Sequence, residues 1–158
     1  MYALADLVRF TGAKRRAVQL WAEGGAIVAE PDTEHAGAGV HRVFSQDEVV
    51  VACVVAAFAQ DSAPIGFLIR VGKDIRGLLS RPHSKNDVYK AVIDVERRFL
   101  IYDKTDRPLV FRVSHPDFVD VLTTYLLQGM RDSNIKANIV YLNGCFARLR
   151  NEASFAKI

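Results

Sequence analysis

Three consecutive cations, Lys14, Arg15 and Arg16, stand shortly before Gln19, and a second basic pair, His41 and Arg42, follows beyond a glycine-rich stretch. Ammonium and guanidinium groups neutralise phosphate oxygens. A glutamine amide offers a donor and an acceptor side by side, which matches the edge of adenine. On a helix Gln19 falls three and four residues after Arg16 and Arg15, so all three share a face. Each residue also has a plainer reading. A basic triplet is a solvated helix face wherever no anion meets it, Gln19 fits equally as an exposed amide, and His41 fits as a surface residue.

Other chemistries lack their residues. The four histidines (35, 41, 83 and 115) and two cysteines (53 and 145) show no metal-ligand spacing. His115 precedes Pro116 at an expected helix start, where a cap or surface role suits it. Asp103, Asp106, Asp117 and Asp120 fall in turns or first helical turns, where carboxylates sit without catalysis. There is no nucleophile elbow, phosphate loop or paired acid–base constellation. These readings predict no enzyme, no metal and no cofactor.

The cysteines lie far apart in apolar surroundings, without a CxxC, which suits a reducing cytosol. The opening residues meet Asp6 and Arg9 at once and carry no basic leader. The longest apolar run, 49–59, is well short of the roughly 20 residues a membrane span requires. A cytoplasmic protein is therefore expected. Half of the 158 residues are apolar, enough for a real core. Net charge is +3, but residues 1–80 hold 8 Lys and Arg against 9 Asp and Glu, a net of −1. Residues 81–158 hold 13 against 9, a net of +4. Bulk charge thus gives the first half no attraction for nucleic acid, and only local clusters can.

The elements that must position these clusters follow from periodicity. Leu4, Leu7 and Val8 are helically spaced, and Thr11-Gly12 interrupts them. A second helix over 13–23 carries Ala17, Val18 and Trp21 on its apolar side, with Trp21 assigned to the core, and ends at Gly24-Gly25. Two short helices joined by a glycine turn form a helix-turn-helix unit. Ile27-Val28-Ala29 then reads as a short strand, residues 30–39 as a loop, and 40–44 as a returning strand, together a wing hairpin over 27–44. Ser45-Gln46-Asp47-Glu48 has the form of a capping box and opens an apolar helix over 46–59. Pro64 begins another, apolar at Leu68, Val71, Ile75, Leu78 and Leu79.

Tyr2-x-Leu4-x-x-Leu7 with Phe10-Thr11-Gly12, Trp21 before Gly25, and Arg42-x-Phe44-Ser45-x-Asp47-Glu48-Val49 resemble the MerR-type winged helix. So does the second helix pair ending Ile75-x-x-Leu78-Leu79. The resemblance covers roughly residues 1–79. It implies a dimer with the second helix in the major groove and the wing, Arg42 included, on phosphates. Two departures stand out. Gln19, Leu20 and Trp21 replace the arginine and aromatic pair usual in that family, and His41 and Val43 replace wing aromatics.

Beyond residue 80, Ser84 is placed to cap a helix reaching Arg98, with a stripe of Val88, Val92, Val95 and Phe99. A hairpin of 99–102 and 109–113 follows. A helix opened by Ser114, a strand over 139–142 and a final helix after Asn143-Gly144 complete an αββαβα pattern. The expected fold class is α+β, with a winged helix-turn-helix domain at 1–80 and the small αββαβα domain at 81–158. The expected function is a dimeric, nucleoid-associated transcription regulator on double-stranded DNA, contacting it through Lys14, Arg15, Arg16, Gln19, His41 and Arg42. Residues 81–158 would dimerise the chain or bind a protein or small-molecule effector. Two alternatives stay open: an excisionase-like architectural factor, and a winged-helix protein-interaction module without DNA binding.

Overall fold

The computed structural model of the chain describes residues 1–33, 41–60, 63–93, 98–102, 108–112, 139–141 and 145–149. The composition is α+β, mostly helical with small antiparallel sheets. A two-residue strand β1 (Tyr2–Ala3) leads into α1 (Leu4–Thr11). Asp6 Oδ2 accepts the Ala3 N–H at 2.9 Å, which holds a free donor of the first turn. Gly12 ends the helix at φ 69°, its N–H donating to the Val8 carbonyl at 2.9 Å.

Helix α2 (Arg15–Glu23) begins two residues later than expected, because Lys14 is extended and acts as the cap residue. It buries Val18 and Trp21 and leaves Lys14, Arg15 and Arg16 exposed. Gly25, at φ 80°, turns the chain sharply, and the Trp21 carbonyl accepts the N–H groups of Ala26 and Ile27 at 2.8 and 3.2 Å.

Here the expected wing hairpin needs correction. Residues 27–29 form no strand. Their donors are claimed elsewhere: Ile27 by Trp21, and Val28 by the Glu48 carboxylate at 2.8 Å. The returning strand β2 (Val43–Phe44) pairs instead with β1, antiparallel, Tyr2 opposite Phe44 and Ala3 opposite Val43. The outgoing limb, with a single 3-10 turn over Pro31–Thr33, is tied to Val43 by two bonds. Glu30 N–H donates to the Val43 carbonyl at 2.9 Å, and Val43 N–H to Thr33 Oγ1 at 3.1 Å. The loop tip, 34–40, lies outside the described residues.

Helix α3 (Gln46–Gln60) is buried without a break from Glu48 to Ala56, so it is a central core helix with no free apolar face along that stretch. Its apolar side chains are used inside the chain, in the core cluster. No helix among the described residues is long and apolar enough to cross a membrane. Helix α4 (Ile65–Leu79) buries Leu68, Val71, Ile75, Leu78 and Leu79, the stripe that periodicity selects. Its Gly72 meets the Ala26 carbonyl where a β-carbon would stand, so α4 lies backbone-close to the turn after α2.

Helix α5 (Pro82–Ile93) starts before Ser84, which is therefore not its cap. Proline at a first helical position forfeits an N–H that has no partner there anyway. Strands β3 (Arg98–Tyr102), β4 (Pro108–Arg112) and β5 (Ile139–Tyr141) form an antiparallel sheet in the order β4-β3-β5, with Leu100 opposite both Val110 and Val140. The helix expected to open at Ser114 and Val95 of the apolar stripe lie outside the described residues. Within the final helix expected after Asn143-Gly144, residues 146–148 form a turn instead, and the part beyond residue 149 lies outside the described residues.

Packing continues across residue 80. One apolar cluster joins Leu7, Phe10, Val18 and Trp21 to α3 and α4, and also takes in Val88, Tyr89, Phe146 and Leu149. Phe146 and Leu149 are fully buried.

Candidate nucleic-acid interface

Four of the six residues singled out by type and spacing meet at one surface groove. Arg15 and Gln19 reach it from α2, His41 and Arg42 from the limb entering β2, and Ala3, Leu4 and Ala5 form its floor at the start of α1. The groove is open and measures about 500 Å³. The β1–β2 pairing explains the convergence: it fastens residues 41–44 beside the N-terminus of α1, which α2 already flanks. Arg15 and His41 are exposed; Gln19 and Arg42 are half-buried. Two guanidinium groups, an imidazole and an amide thus share one concave face, a combination able to hold a polyanion and to read a hydrogen-bonding edge.

Glu23, which the sequence reading passed over, lines the same groove. Its position was legible, since Arg15, Gln19 and Glu23 step by four along one helix face. Arg16 does not line the groove but turns to Glu23, Nη1 to Oε1 at 3.6 Å, both side chains largely exposed. Such a pair is weak, yet it places a cation beside the carboxylate and lessens its repulsion of an anion. Lys14 is exposed at the cap of α2, outside the groove lining.

An ion pair that the sequence did not announce joins α3 to α4, with Glu48 buried and Arg76 partly so. Ser45 Oγ caps α3 by accepting the Glu48 N–H at 3.2 Å. Glu48 does not close the capping box by returning to Ser45; its carboxylate accepts from Val28 N–H at 2.8 Å and from Arg76 Nε at 2.9 Å. Arg76 Nη2 donates onward to the carbonyls of Gly25 and Ala26 at 3.1 and 3.2 Å. The segment that leaves α2 is therefore clamped between α3 and α4. Burial pushes the Glu48 carboxyl above its usual range, against the opposing pull of Val28 N–H and the Arg76 charge.

A second polar cleft lies between α3 and α5. Asp47 accepts from Tyr89 Oη and, at 2.8 Å, from Lys85 Nζ, and both donors line the cleft with Ser45, Gln46 and Asn86. Its central carboxylate is thus already satisfied by the protein. The Cys53 and Cys145 thiols are pushed up by burial, Cys145 to about 12, so neither is a thiolate at neutral pH. Among the described residues no group of His, Cys, Asp and Glu is arranged to hold a metal.

No family model matches the chain, and no curated protein sequence matches it.

Proposed function

We propose that this chain is a sequence-specific DNA-binding transcription regulator acting as a homodimer. In this reading the arrangement is a winged helix-turn-helix of the MerR type, with α2 in the major groove and the limb entering β2 on the phosphates. The observation that carries it is the convergence of Arg15, Gln19, His41 and Arg42 on one open groove, from two segments distant in sequence. A helix presenting an arginine and a glutamine one turn apart, flanked by a basic arm, has the chemistry of base reading joined to phosphate anchoring. Residues 81–158 supply dimerisation or bind an effector.

The reading is tested by selecting duplexes from a random pool with the whole chain, then measuring affinity against salt. A preferred sequence and a linear fall of log K with log salt are expected. A footprint beside a promoter supports regulation; one at a recombination attachment site supports the excisionase-like alternative. Binding that is absent, or indifferent to salt, overturns both and favours a protein-interaction module, which Glu23 in the groove and the net −1 of residues 1–80 would suit. Sedimentation at micromolar concentration tests the dimer, and monomer alone, with and without DNA, overturns it.

A further inference from the structure

Arg148 belongs to the distant end of the chain, yet its guanidinium occupies the space where a β-carbon on Gly12 would stand, at the turn between α1 and α2. Two neighbours hold it there: Phe146 and Leu149 are fully buried in the core, and Arg148 between them is exposed. Gly12 makes the approach possible twice over. Its φ of 69° is one that other residues resist, and its missing side chain leaves room for the guanidinium. The location is electrostatically reasonable, since the end of α1 presents carbonyl oxygens and favours a cation. Among the described residues no carboxylate pairs with Arg148. Two residues beyond Gly12 begins the exposed run Lys14, Arg15 and Arg16.

We infer that Arg148 is a DNA phosphate contact, delivered by the C-terminal part of the chain to the helix-turn-helix turn and extending the basic run at the start of α2. The inference rests on the DNA-binding reading above and deepens it. The first 80 residues carry no net positive charge, so their DNA face depends on where individual cations are placed. Packing from the far end of the sequence supplies one more. Residues 145–149 then act on DNA directly, apart from any role in dimerisation.

The test compares the full chain with Arg148→Ala and Arg148→Lys on a selected duplex and on a scrambled one, over a salt series. One lost phosphate contact makes the slope of log K against log salt shallower by about 0.9. Affinity for both duplexes should fall by the same several-fold factor, and lysine should restore most of the slope, since a phosphate accepts either cation. Thermal unfolding and sedimentation on the same samples separate a structural role, which moves the midpoint or the association state and leaves the slope alone. A wild-type salt slope that Arg148→Ala leaves unchanged overturns this inference and spares the DNA-binding reading. Absence of salt-dependent binding by the wild type overturns both.

Discussion

The Glu48 carboxylate receives Arg76 Nε at 2.9 Å in the core, and the same arginine reaches past it to the carbonyls of Gly25 and Ala26. Glu48 lies on α3 and Arg76 on α4, while the backbone they share belongs to the exit from α2. One ion pair therefore ties α3 and α4 to the backbone that leaves α2. Glu48 is buried and Arg76 only partly so. Removing the carboxylate strands Val28 N–H and leaves a half-desolvated cation. Glu48→Ala should lower stability by about 3 kcal/mol, the lower end for a broken buried pair because Arg76 can regain some water. Glu48→Gln keeps an acceptor for Val28 and should cost about 1 kcal/mol. Urea denaturation of the three proteins at neutral pH measures both, and equal losses for the two variants would refute the role assigned to Val28.

The same carboxylate predicts a pH dependence of definite sign. Burial raises its folded pKa above the unfolded value of about 4.3, so the folded state binds the proton more tightly. This contribution to stability is fully present below the unfolded pKa. It is lost as pH climbs through the window up to the raised folded value, and it is constant above both. Glutamine has no such term. The stability of Glu48→Gln relative to wild type should therefore improve as pH rises through that window, a comparison in which the other titrating groups cancel. Denaturation curves between pH 4 and pH 8 test it. A flat difference would mean that Arg76 and Val28 fully offset the desolvation.

The helices were legible because their apolar stripes are set by local periodicity: Leu68, Val71, Ile75, Leu78 and Leu79 are all buried on α4. The three-stranded sheet was legible too, its strands falling within a residue of the expected bounds. Residues 27–29 show where such reasoning fails. Ile27 and Ala29 are buried and Val28 is exposed, so the period-two alternation of a strand is real. The hydrogen bonds, however, run to the Trp21 carbonyl and to the Glu48 side chain rather than to a ladder. Alternation reports burial and says nothing about which backbone group accepts. The true partner of β2 is the dipeptide Tyr2–Ala3, too short to show any period.

At the candidate site, the basic residues were legible by type and their convergence was not. Nothing local joins Arg15 to Arg42; the β1–β2 pairing does so across the intervening chain. Glu48 was visible only as a cap, because its link to Arg76 depends on how α3 and α4 cross. Arg148 carries no sequence signal at all. Only the core positions of Phe146 and Leu149 bring it to Gly12.

Those two core positions make a third prediction. Phe146 and Leu149 are fully buried in the cluster that contains α3 and α4. Phe146→Ala should cost about 3–5 kcal/mol and Leu149→Ala about 2–5 kcal/mol, through lost burial and the cavities left behind. Removing residues 81–158 takes both away, along with Val88 and Tyr89, and uncovers the apolar surface of α3. The truncated chain should unfold at markedly lower denaturant, or over a broader transition, than the whole. A fragment 1–80 with undiminished stability and a cooperative transition would show that this packing contributes little.

The last prediction separates anchoring from reading within the groove. On the DNA-binding reading Arg42 meets a phosphate, so Arg42→Ala should weaken all duplexes about equally and make the salt slope shallower by about one unit. Gln19 stands one helical turn from Arg15 on the groove-lining face of α2, where an amide can meet a base edge. Gln19→Ala should cost about 1–3 kcal/mol on the preferred sequence, relax preference at a single base pair and leave the slope almost untouched. Arg16 turns toward Glu23, and its loss has two opposed effects: one cation fewer, and a carboxylate left facing the DNA. Arg16→Ala should therefore weaken binding, and adding Glu23→Gln should recover part of the loss. Anisotropy titrations of these variants on the selected and scrambled duplexes, with circular dichroism to confirm their fold, give every term. If Gln19→Ala weakens both duplexes alike, α2 grips the backbone without reading the bases, and sequence preference must come from elsewhere in the groove or from the bending of the DNA.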